Sequence, residues 1–292
     1  MKKRKLAFII NPVSGVLSKD RVINAIEDGL DKEKYDFTIE YTKEAGHAVE
    51  ICKQKIGEGI DVIVAVGGDG SVNEIARTLT DKPAALGIIP AGSGNGLAHH
   101  LKIPVNFRKA IDIINQGKTI KIDTGSINDL FFVSIAGIGF DGIVAREYAK
   151  NKRRGFLNYL RIVTEEYVNY RPRNYTILAN GEKLKRKALF ISFANSDQFG
   201  YGASIAPSAS VDDGLLDVII MKKPSIIELP LLASLLYWRK IDLSRQFEII
   251  KAKELVVKTR RKRWVNIDGE AIKMKKILHV KIHPQSLNIL IP

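Results

Sequence analysis

Three short segments contain the residue types that could perform chemistry, because they combine glycine with Ser, Asn or Asp. Residues 67–73 read GGDGSVN, residues 11–15 read NPVSG, and residues 92–96 read GSGNG. Glycine permits backbone angles closed to other residues and lets main-chain N–H groups approach a ligand closely. A helix that begins after such a loop adds unpaired N–H donors and a positive dipole end, which favour phosphate. A single GGDG is equally consistent with a tight turn, but three such segments together favour a phosphate site.

Asp69 is the unexpected residue of the GGDG segment, because a carboxylate repels a phosphate. It would be explained by binding a metal ion, by positioning one through water, or by accepting a proton. The structural alternative is that Asp69 caps the following helix. The sequence leaves these interpretations open.

The elements that must position these segments alternate between strand and helix. Apolar runs predict strands at residues 5–10, 35–41, 62–66 and 84–89, and helical spacing follows each of them. Four strand–loop–helix repeats predict a doubly wound parallel sheet, in which ligands bind beyond the carboxyl ends of the strands. All three glycine segments directly follow such strands.

The pattern changes near residue 120, where short strand-like runs separated by turns become dominant. Asn180-Gly181 is a strong hairpin signal, and helical patterns persist mainly at residues 138–147, 157–170 and 226–238. We therefore expect an antiparallel β-sandwich after the α/β part. The predicted domains are residues 1–122 with about 285–292, and residues 123–284.

Composition limits the partners. The 292 residues suggest two domains, and the single Cys52 excludes an intrachain disulfide and suggests a reducing compartment. The net charge of +14 suggests nucleic acid, an anionic membrane or a phosphorylated substrate, although surplus lysine is also common on solvated surfaces. The basic clusters 150–154 and 258–264 carry no nucleic-acid signature, so nucleic acid is not expected as a partner. The apolar tract 226–238 contains charge and proline and is too short to span a bilayer.

Several other motifs are missing or incomplete. No glycine segment has the lysine of a Walker loop, and Gly92-Ser93-Gly94 lacks the spacing of a hydrolase elbow. Residues 137–142 match GxGxxG but lie outside a clear βαβ unit, so we interpret them as a structural turn. The five histidines and Cys52 do not form a metal set.

Assembled in order, the motifs resemble those of the diacylglycerol-kinase catalytic-domain family, which includes soluble bacterial lipid kinases, sphingosine kinases and ceramide kinases. The matching segments cover nearly the whole chain: 11–15, Thr42 with 46–48, 67–74, 90–95, 137–141, 213–218 and 268–270. GGDG alone is shared with NAD kinases and phosphofructokinases, whereas the ordered set is specific. The resemblance implies an α/β nucleotide domain followed by a β-sandwich, with the active cleft between them.

The resemblance also implies roles for individual residues. Those implied to contact ATP are Asn11, Pro12, Ser14, Gly15, Thr42, Gly67, Gly68, Asp69, Gly70, Ser71, Asn73 and Ser93. Glu270 matches the proton acceptor of bacterial members, and Asp69 matches the acid given that role in sphingosine kinases. A structural Mg²⁺ site maps onto Ser210, Asp213 and Leu215, the first and last through backbone carbonyls.

Two positions depart from the family pattern. Ser71 stands where many members have threonine and keeps the hydroxyl. Gly96 stands where bacterial diacylglycerol kinases carry an aspartate that supports a carboxylate–water–metal network, which puts that network in doubt.

The resulting prediction is a Mg²⁺-dependent, ATP-dependent lipid kinase that phosphorylates a lipid hydroxyl of the diacylglycerol or sphingoid type. It is expected in the cytoplasm, held peripherally at an anionic membrane, with residues 260–264 assisting docking. A homodimer is left open. The alternatives are an NAD kinase-like enzyme with a soluble substrate and a catalytically weak lipid- or nucleotide-binding regulator. For Asp268-Gly269-Glu270 the structural alternative is an exposed hairpin turn.

Overall fold

The computed structural model describes residues 3–14, 19–151, 155–198 and 204–292. The chain divides into two compact units, Met1–Ile122 with Gln285–Pro292, and Asp123–Pro284. Among the described residues, no helix combines the length and the apolar character needed to cross a bilayer.

The first unit is built on a parallel sheet with the strand order β2-β1-β3-β4. Its strands are β1 Arg4–Ile10, β2 Tyr35–Tyr41, β3 Val62–Gly67 and β4 Ala85–Pro90. Its helices are α1 Lys19–Gly29, α2 His47–Gly57, α3 Asp69–Leu79, α4 Gly96–His100 and α5 Phe107–Gln116. Every residue of β3 and β4 is buried, as expected for apolar strands covered on both faces. Helix α1 packs with α5, and α2 packs with α3.

The second unit is a β-sandwich. One sheet is antiparallel with the order β12-β11-β10-β7-β14-β15, and the strands β16, β13, β8 and β9 pair antiparallel in the other. The strands from β5 onward are β5 Thr119–Ile127, β6 Leu130–Phe132, β7 Ile135–Gly139, β8 Arg173–Ala179, β9 Glu182–Ala188, β10 Phe190–Ala194, β11 Leu216–Met221, β12 Phe247–Ala252, β13 Glu254–Lys258, β14 Arg263–Ile267, β15 Glu270–Met274 and β16 Ile277–Leu290. Side chains such as Phe193, Val218, Val257 and Leu278 form one buried core from both sheets.

Three helices complete the second unit. They are α6 Phe140–Lys150, α7 Phe156–Asn169 and α8 Leu229–Tyr237. Phe140, Ile162 and Leu232, one from each helix, belong to a second buried cluster on the six-stranded sheet. The strand β16 begins in this unit, and its end returns to the first unit, where Ile289 pairs in parallel with Leu86 of β4.

The predicted fold class is confirmed, and most deviations concern element boundaries. Asn180 and Gly181 form the expected hairpin turn with φ values of 52° and 79°. The strand-like runs predicted beyond residue 120 do not cover β12 or β15, and the run at 187–193 covers only the last two residues of β9. The helix expected from residue 138 begins at Phe140, because β7 continues to Gly139. The helix expected at 226–238 begins with a 3₁₀ turn, Ile226–Glu228, before α8.

Candidate functional site

The four parallel strands of the first unit deliver four loops to one edge of their sheet. The first loop begins at Asn11 after β1, the second at Gly68 after β3, the third at Ala91 after β4 and the fourth at Thr42 after β2. Because these strands run parallel, their carboxyl ends share one edge. The predicted phosphate-site segments are therefore neighbours in space.

The first loop contacts the second through Asn11. Its Nδ2 donates a hydrogen bond to Ser71 Oγ at 3.3 Å, and its backbone N–H donates to the Val66 carbonyl at 3.0 Å. Ser14 donates through Oγ to the Asn11 carbonyl at 2.9 Å, which closes the turn through Pro12. Gly15, the other residue assigned to ATP in this loop, lies outside the described residues.

Asp69 connects the second loop to the third. Its Oδ1 accepts the backbone N–H of Gly96 at 2.7 Å, and its Oδ2 accepts that of Asn95 at 2.9 Å. Burial raises the pKa of the Asp69 carboxyl, and the N–H bonds from Gly96 and Asn95 oppose that rise. The N-cap of α3 is Gly68, so the alternative that Asp69 is the cap residue of that helix is wrong; its carboxylate accepts N–H groups at the start of α4.

The N-terminus of α3 has no side-chain cap. Its N-cap residue is Gly68, and the hydroxyl and amide residues Ser71 and Asn73 lie in the first part of the helix. Backbone N–H groups of a first helical turn have no intrahelical acceptor. Gly68, Gly70 and Ser71 therefore present main-chain donors and a positive dipole end at the loop cluster, whereas the Asp69 N–H bonds its own carboxylate.

Close backbone contact explains the glycines between these loops. A Cβ at Gly92 would lie 2.5 Å from the Gly68 Cα and 2.9 Å from Asn95 Oδ1, and one at Gly94 would lie 2.8 Å from Asp69 Oδ2. Asn95 itself takes φ of 51°, and its side chain bonds both the N–H and the carbonyl of Gly92. Glycine in these loops was expected to allow close approach of a ligand, and neither Gly92 nor Asn95 was among the residues implied to contact ATP. An asparagine between glycines was the available signal, because Asn tolerates positive φ.

The fourth loop joins the cluster through Glu74, which the sequence analysis did not select. Glu74 Oε1 accepts the backbone N–H of Gly46 at 2.8 Å. Thr42 is buried, and its N–H donates to the Ile10 carbonyl at 3.0 Å. Ser93, by contrast, is exposed in the third loop. Thr42, Asn11, Gly68 and Ser93 thus sit on four loops at one sheet edge.

The Glu270 turn belongs to the second unit. Asp268 and Gly269 connect β14 to β15 with φ values of 45° and 93°, the positive angles of a two-residue hairpin. Glu270 is exposed at the start of β15. Asp268 is buried, and its carboxylate accepts the backbone N–H groups of Val133, Ser134 and Ile135 at 2.7, 2.9 and 2.9 Å. The segment is a hairpin turn, but one whose first residue is anchored in the interior.

A second chain of hydrogen bonds fixes the same turn. Asn266 Oδ1 accepts the Gly269 N–H at 2.9 Å, and Asn266 Nδ2 donates to Asp141 Oδ1 at 3.0 Å. Burial raises the pKa of Asp141 to about 7, and the Asn266 hydrogen bond opposes that rise. The motif 137–142 supports this packing, because a Cβ at Gly137 would lie 2.0 Å from Asp141 Oδ2. Asp141 and Asn266 therefore orient the backbone that carries Glu270.

The residues predicted to hold a structural metal lie in the loop before β11. Asp213 Oδ1 accepts the Leu215 N–H at 3.0 Å, and Asp213 Oδ2 pairs with Lys251 Nζ at 2.8 Å. The same ammonium lies 3.5 Å from Asp217 Oδ2 and 3.5 Å from the Ser208 carbonyl. Among the described residues, no group of three or more His, Cys, Asp or Glu side chains is arranged to hold a metal. Both oxygens of the Asp213 carboxylate are thus engaged, and the Ser210–Asp213–Leu215 set, in which Ser210 and Leu215 would bind through backbone carbonyls, stays a prediction.

Two family models match the chain. Residues 5–127 match the diacylglycerol kinase catalytic domain, and residues 134–291 match the YegS C-terminal NAD kinase beta sandwich-like domain. Together they cover almost every residue of both units.

Individual proteins agree with the family models. The chain is 27% identical over 272 residues to the diacylglycerol kinase of Bacillus subtilis strain 168, covering 91% of this chain and 90% of that protein. It is 26% identical over 272 residues to the diacylglycerol kinase of Staphylococcus saprophyticus, covering 92% of this chain and 89% of that protein. A solved diacylglycerol kinase structure from Bacillus anthracis strain Sterne has a TM-score of 0.78 at 20% identity and covers 100% of this chain and 98% of that one. A second structure from that strain reaches 0.81 at 23% identity, with the same coverage.

Proposed function

This chain belongs to the diacylglycerol kinase catalytic-domain family and is a lipid kinase, and we propose that it transfers the γ-phosphoryl group of ATP to a lipid hydroxyl. We assign ATP to residues 1–122 with 285–292 and the lipid acceptor to residues 123–284. The acceptor is a diacylglycerol, as the names of the relatives suggest, or a sphingoid-type lipid, because Gly96 makes the GSGNG loop resemble the version found in sphingosine kinases.

One observation carries this proposal: glycine loops at the carboxyl ends of β1, β3 and β4 meet beside an uncapped helix N-terminus. Such a cluster can cradle a triphosphate with backbone N–H groups. Asn11, Pro12, Ser14, Thr42, Ser71, Asn73 and Ser93, with 67–70, are the described residues that we assign to the nucleotide. We also assign Gly15 to the nucleotide from its place in the sequence, although it lies outside the described residues.

Phosphoryl transfer depends mostly on positioning and on neutralising charge, so the protein needs few chemical groups. We propose Glu270 as the acceptor of the proton from the lipid hydroxyl, because it is exposed on a turn that two buried hydrogen-bond networks fix. Asp69 is the alternative base, but both of its oxygens already accept N–H groups of the third loop. Mg²⁺, when bound with ATP, would supply neutralisation of the phosphate charge.

A lipid substrate requires access to a membrane. We propose peripheral association with an anionic surface, favoured by the net charge of +14. A cytoplasmic location and a homodimer stay predictions; light scattering of the purified protein tests the latter.

The test is a radiolabelled-ATP assay against a panel of lipid vesicles, with thin-layer separation of the products. We expect label in a phospholipid product and a requirement for Mg²⁺. ATP consumption without any labelled lipid would reject the proposal. NAD is included as a soluble acceptor, because the second domain matches an NAD kinase beta sandwich-like model. Labelled NADP in place of labelled lipid would support the NAD kinase alternative, and no turnover with any acceptor would support the regulator.

A further inference from the structure

A strongly basic cavity lies in the second unit, and two of its lining strands, β14 and β15, form the hairpin whose turn carries Glu270. Its volume is about 260 Å³, and it is bounded by α6, the end of α7 and the strands β14 and β15. Six cationic side chains line it: Arg146, Arg171, Arg173, Lys262, Arg263 and Lys273. Among its described lining residues, Glu166 is the one acid. The excess of positive charge is much larger than one carboxylate can neutralise.

Like charges gathered in a concave site repel one another, and a bound anion removes that repulsion. The cavity is smaller than the 300–1,000 Å³ of pockets for drug-sized molecules, so it suits a compact group. Arginine presents a planar fork of donors that matches phosphate oxygens. The charge, size and arginine content of this cavity therefore favour a phosphate group.

Two arginines are held in position by aromatic rings. The Arg146 guanidinium lies 5.6 Å from the Trp264 ring centroid, and the Arg173 guanidinium lies 5.9 Å from the Tyr170 ring centroid. Arg146 also pairs with Glu147. Such contacts reduce the entropy lost when a guanidinium binds an anion.

Arg263 supplies an unused donor. Its Nε is buried and has no hydrogen-bond partner within the described parts of the chain. A buried guanidinium N–H without an acceptor is unfavourable, so Arg263 keeps an unsatisfied donor in the wall of this cavity. Trp264 and Tyr170 also line the cavity, and both residue types are enriched where proteins meet the membrane interface.

We propose that this cavity binds the phosphate of an anionic phospholipid headgroup and thereby docks the protein on the membrane. The inference rests on the proposed function for its choice of a lipid as the source of the phosphate. Within the predicted docking segment 260–264, the inference restricts phosphate binding to Lys262, Arg263 and Trp264, which line the cavity. Arg260 and Arg261 do not line it.

The experiment compares two double variants with equal charge loss. R146Q/R263Q removes two lining arginines, and R260Q/R261Q removes two arginines outside the cavity. Binding is measured by co-sedimentation with vesicles of phosphatidylcholine and phosphatidylglycerol in equal parts, and with phosphatidylcholine alone. If the attraction to the membrane were diffuse, both double variants would lose affinity for the anionic vesicles alike, by about fivefold per cation removed. We expect R146Q/R263Q to lose at least tenfold more affinity for the anionic vesicles than R260Q/R261Q.

Further arms separate the remaining outcomes. If R146Q/R263Q misfolds, R263K replaces it in the test. R263K keeps the charge without the fork, so it is expected to bind the anionic vesicles more weakly than wild type. Equal losses in the two double variants would overturn the cavity in favour of diffuse charge. Stabilisation by inorganic phosphate at constant ionic strength, without preference for anionic vesicles, would assign the site to free phosphate and overturn the lipid source. Vesicle binding requires neither ATP nor turnover, so failure of the kinase assay would leave this result interpretable.

Discussion

Replacing Gly92 with alanine should separate the loops that form the proposed nucleotide site. The new Cβ would lie 2.5 Å from the Gly68 Cα, where ordinary contact begins at 3.4 Å, so the two backbones must move apart by about 0.9 Å (3.4 − 2.5). Neither atom belongs to a flexible side chain. The same movement stretches the bonds from Gly92 N–H to Asn95 Oδ1 at 3.0 Å and from Asn95 N–H to Asp69 at 2.9 Å.

The expected cost follows from these contacts. Overpacking typically costs about 1–3 kcal/mol, and each weakened hydrogen bond about 0.5–1.5 kcal/mol. A total of roughly 2–6 kcal/mol lowers the melting temperature by roughly 4–24 °C. Displaced loops should also weaken nucleotide binding at least tenfold, which corresponds to about 1.4 kcal/mol.

Gly57→Ala is the matched control, since Gly57 ends α2 and a Cβ there meets nothing within 4 Å. It should leave ATP affinity unchanged and raise stability slightly, because alanine is favoured over glycine in helices. The measurements are thermal unfolding and calorimetric titration with ATP. If Gly92→Ala melts and binds ATP like wild type, the inferred backbone contact between the loops is wrong.

Three further predictions address the base, the buried Asp141 and the lysine near the predicted metal site. Glu270→Gln should reduce lipid phosphorylation by about 10²–10⁴-fold with little effect on ATP affinity. Asp69→Asn should instead weaken ATP binding, because the asparagine amide cannot accept the N–H groups of both Asn95 and Gly96. Full turnover by Glu270→Gln would move the base to Asp69. Because the pKa of Asp141 is raised to about 7 in the folded protein from an ordinary 3.8, its contribution to stability is complete below about pH 4 and is lost as the pH rises through 7, a change of about 4 kcal/mol. Asp141→Asn should flatten the pH dependence of the urea-unfolding midpoint over that range. An unaltered pH profile would contradict the assignment. Lys251→Met should destabilise the protein by about 1–3 kcal/mol, since the buried Asp217 and the exposed Asp213 lose their counter-ion. Mg²⁺ should then raise the melting temperature of the variant but not of wild type. A Mg²⁺-dependent rise in wild type would instead favour the metal at Ser210, Asp213 and Leu215.

Several features were predictable because they depend on residues close in sequence. Apolar strands followed by glycine segments identified β1, β3 and β4 with their loops, and Asn180-Gly181 identified a hairpin from the positive φ that both residues tolerate. The strand β15 was missed because its five residues, Glu270–Met274, carry charge and are mostly exposed or half-buried. Such an edge strand has little hydrophobic periodicity for a sequence pattern to detect.

The sequence by itself determined the fold class and, through the ordered motifs, the family, and it predicted the phosphate-binding character of the loops. Only the tertiary structure decided what Asp69, Asp268 and Lys251 contact, because their partners lie 26 or more, about 133 and up to 43 residues away in the chain. A carboxylate or an ammonium can satisfy its charge with many different groups, so its type alone does not identify the partner. Local periodicity fixes strands and helices, whereas the pairing of buried polar groups is fixed by which loops the sheet brings to the same edge.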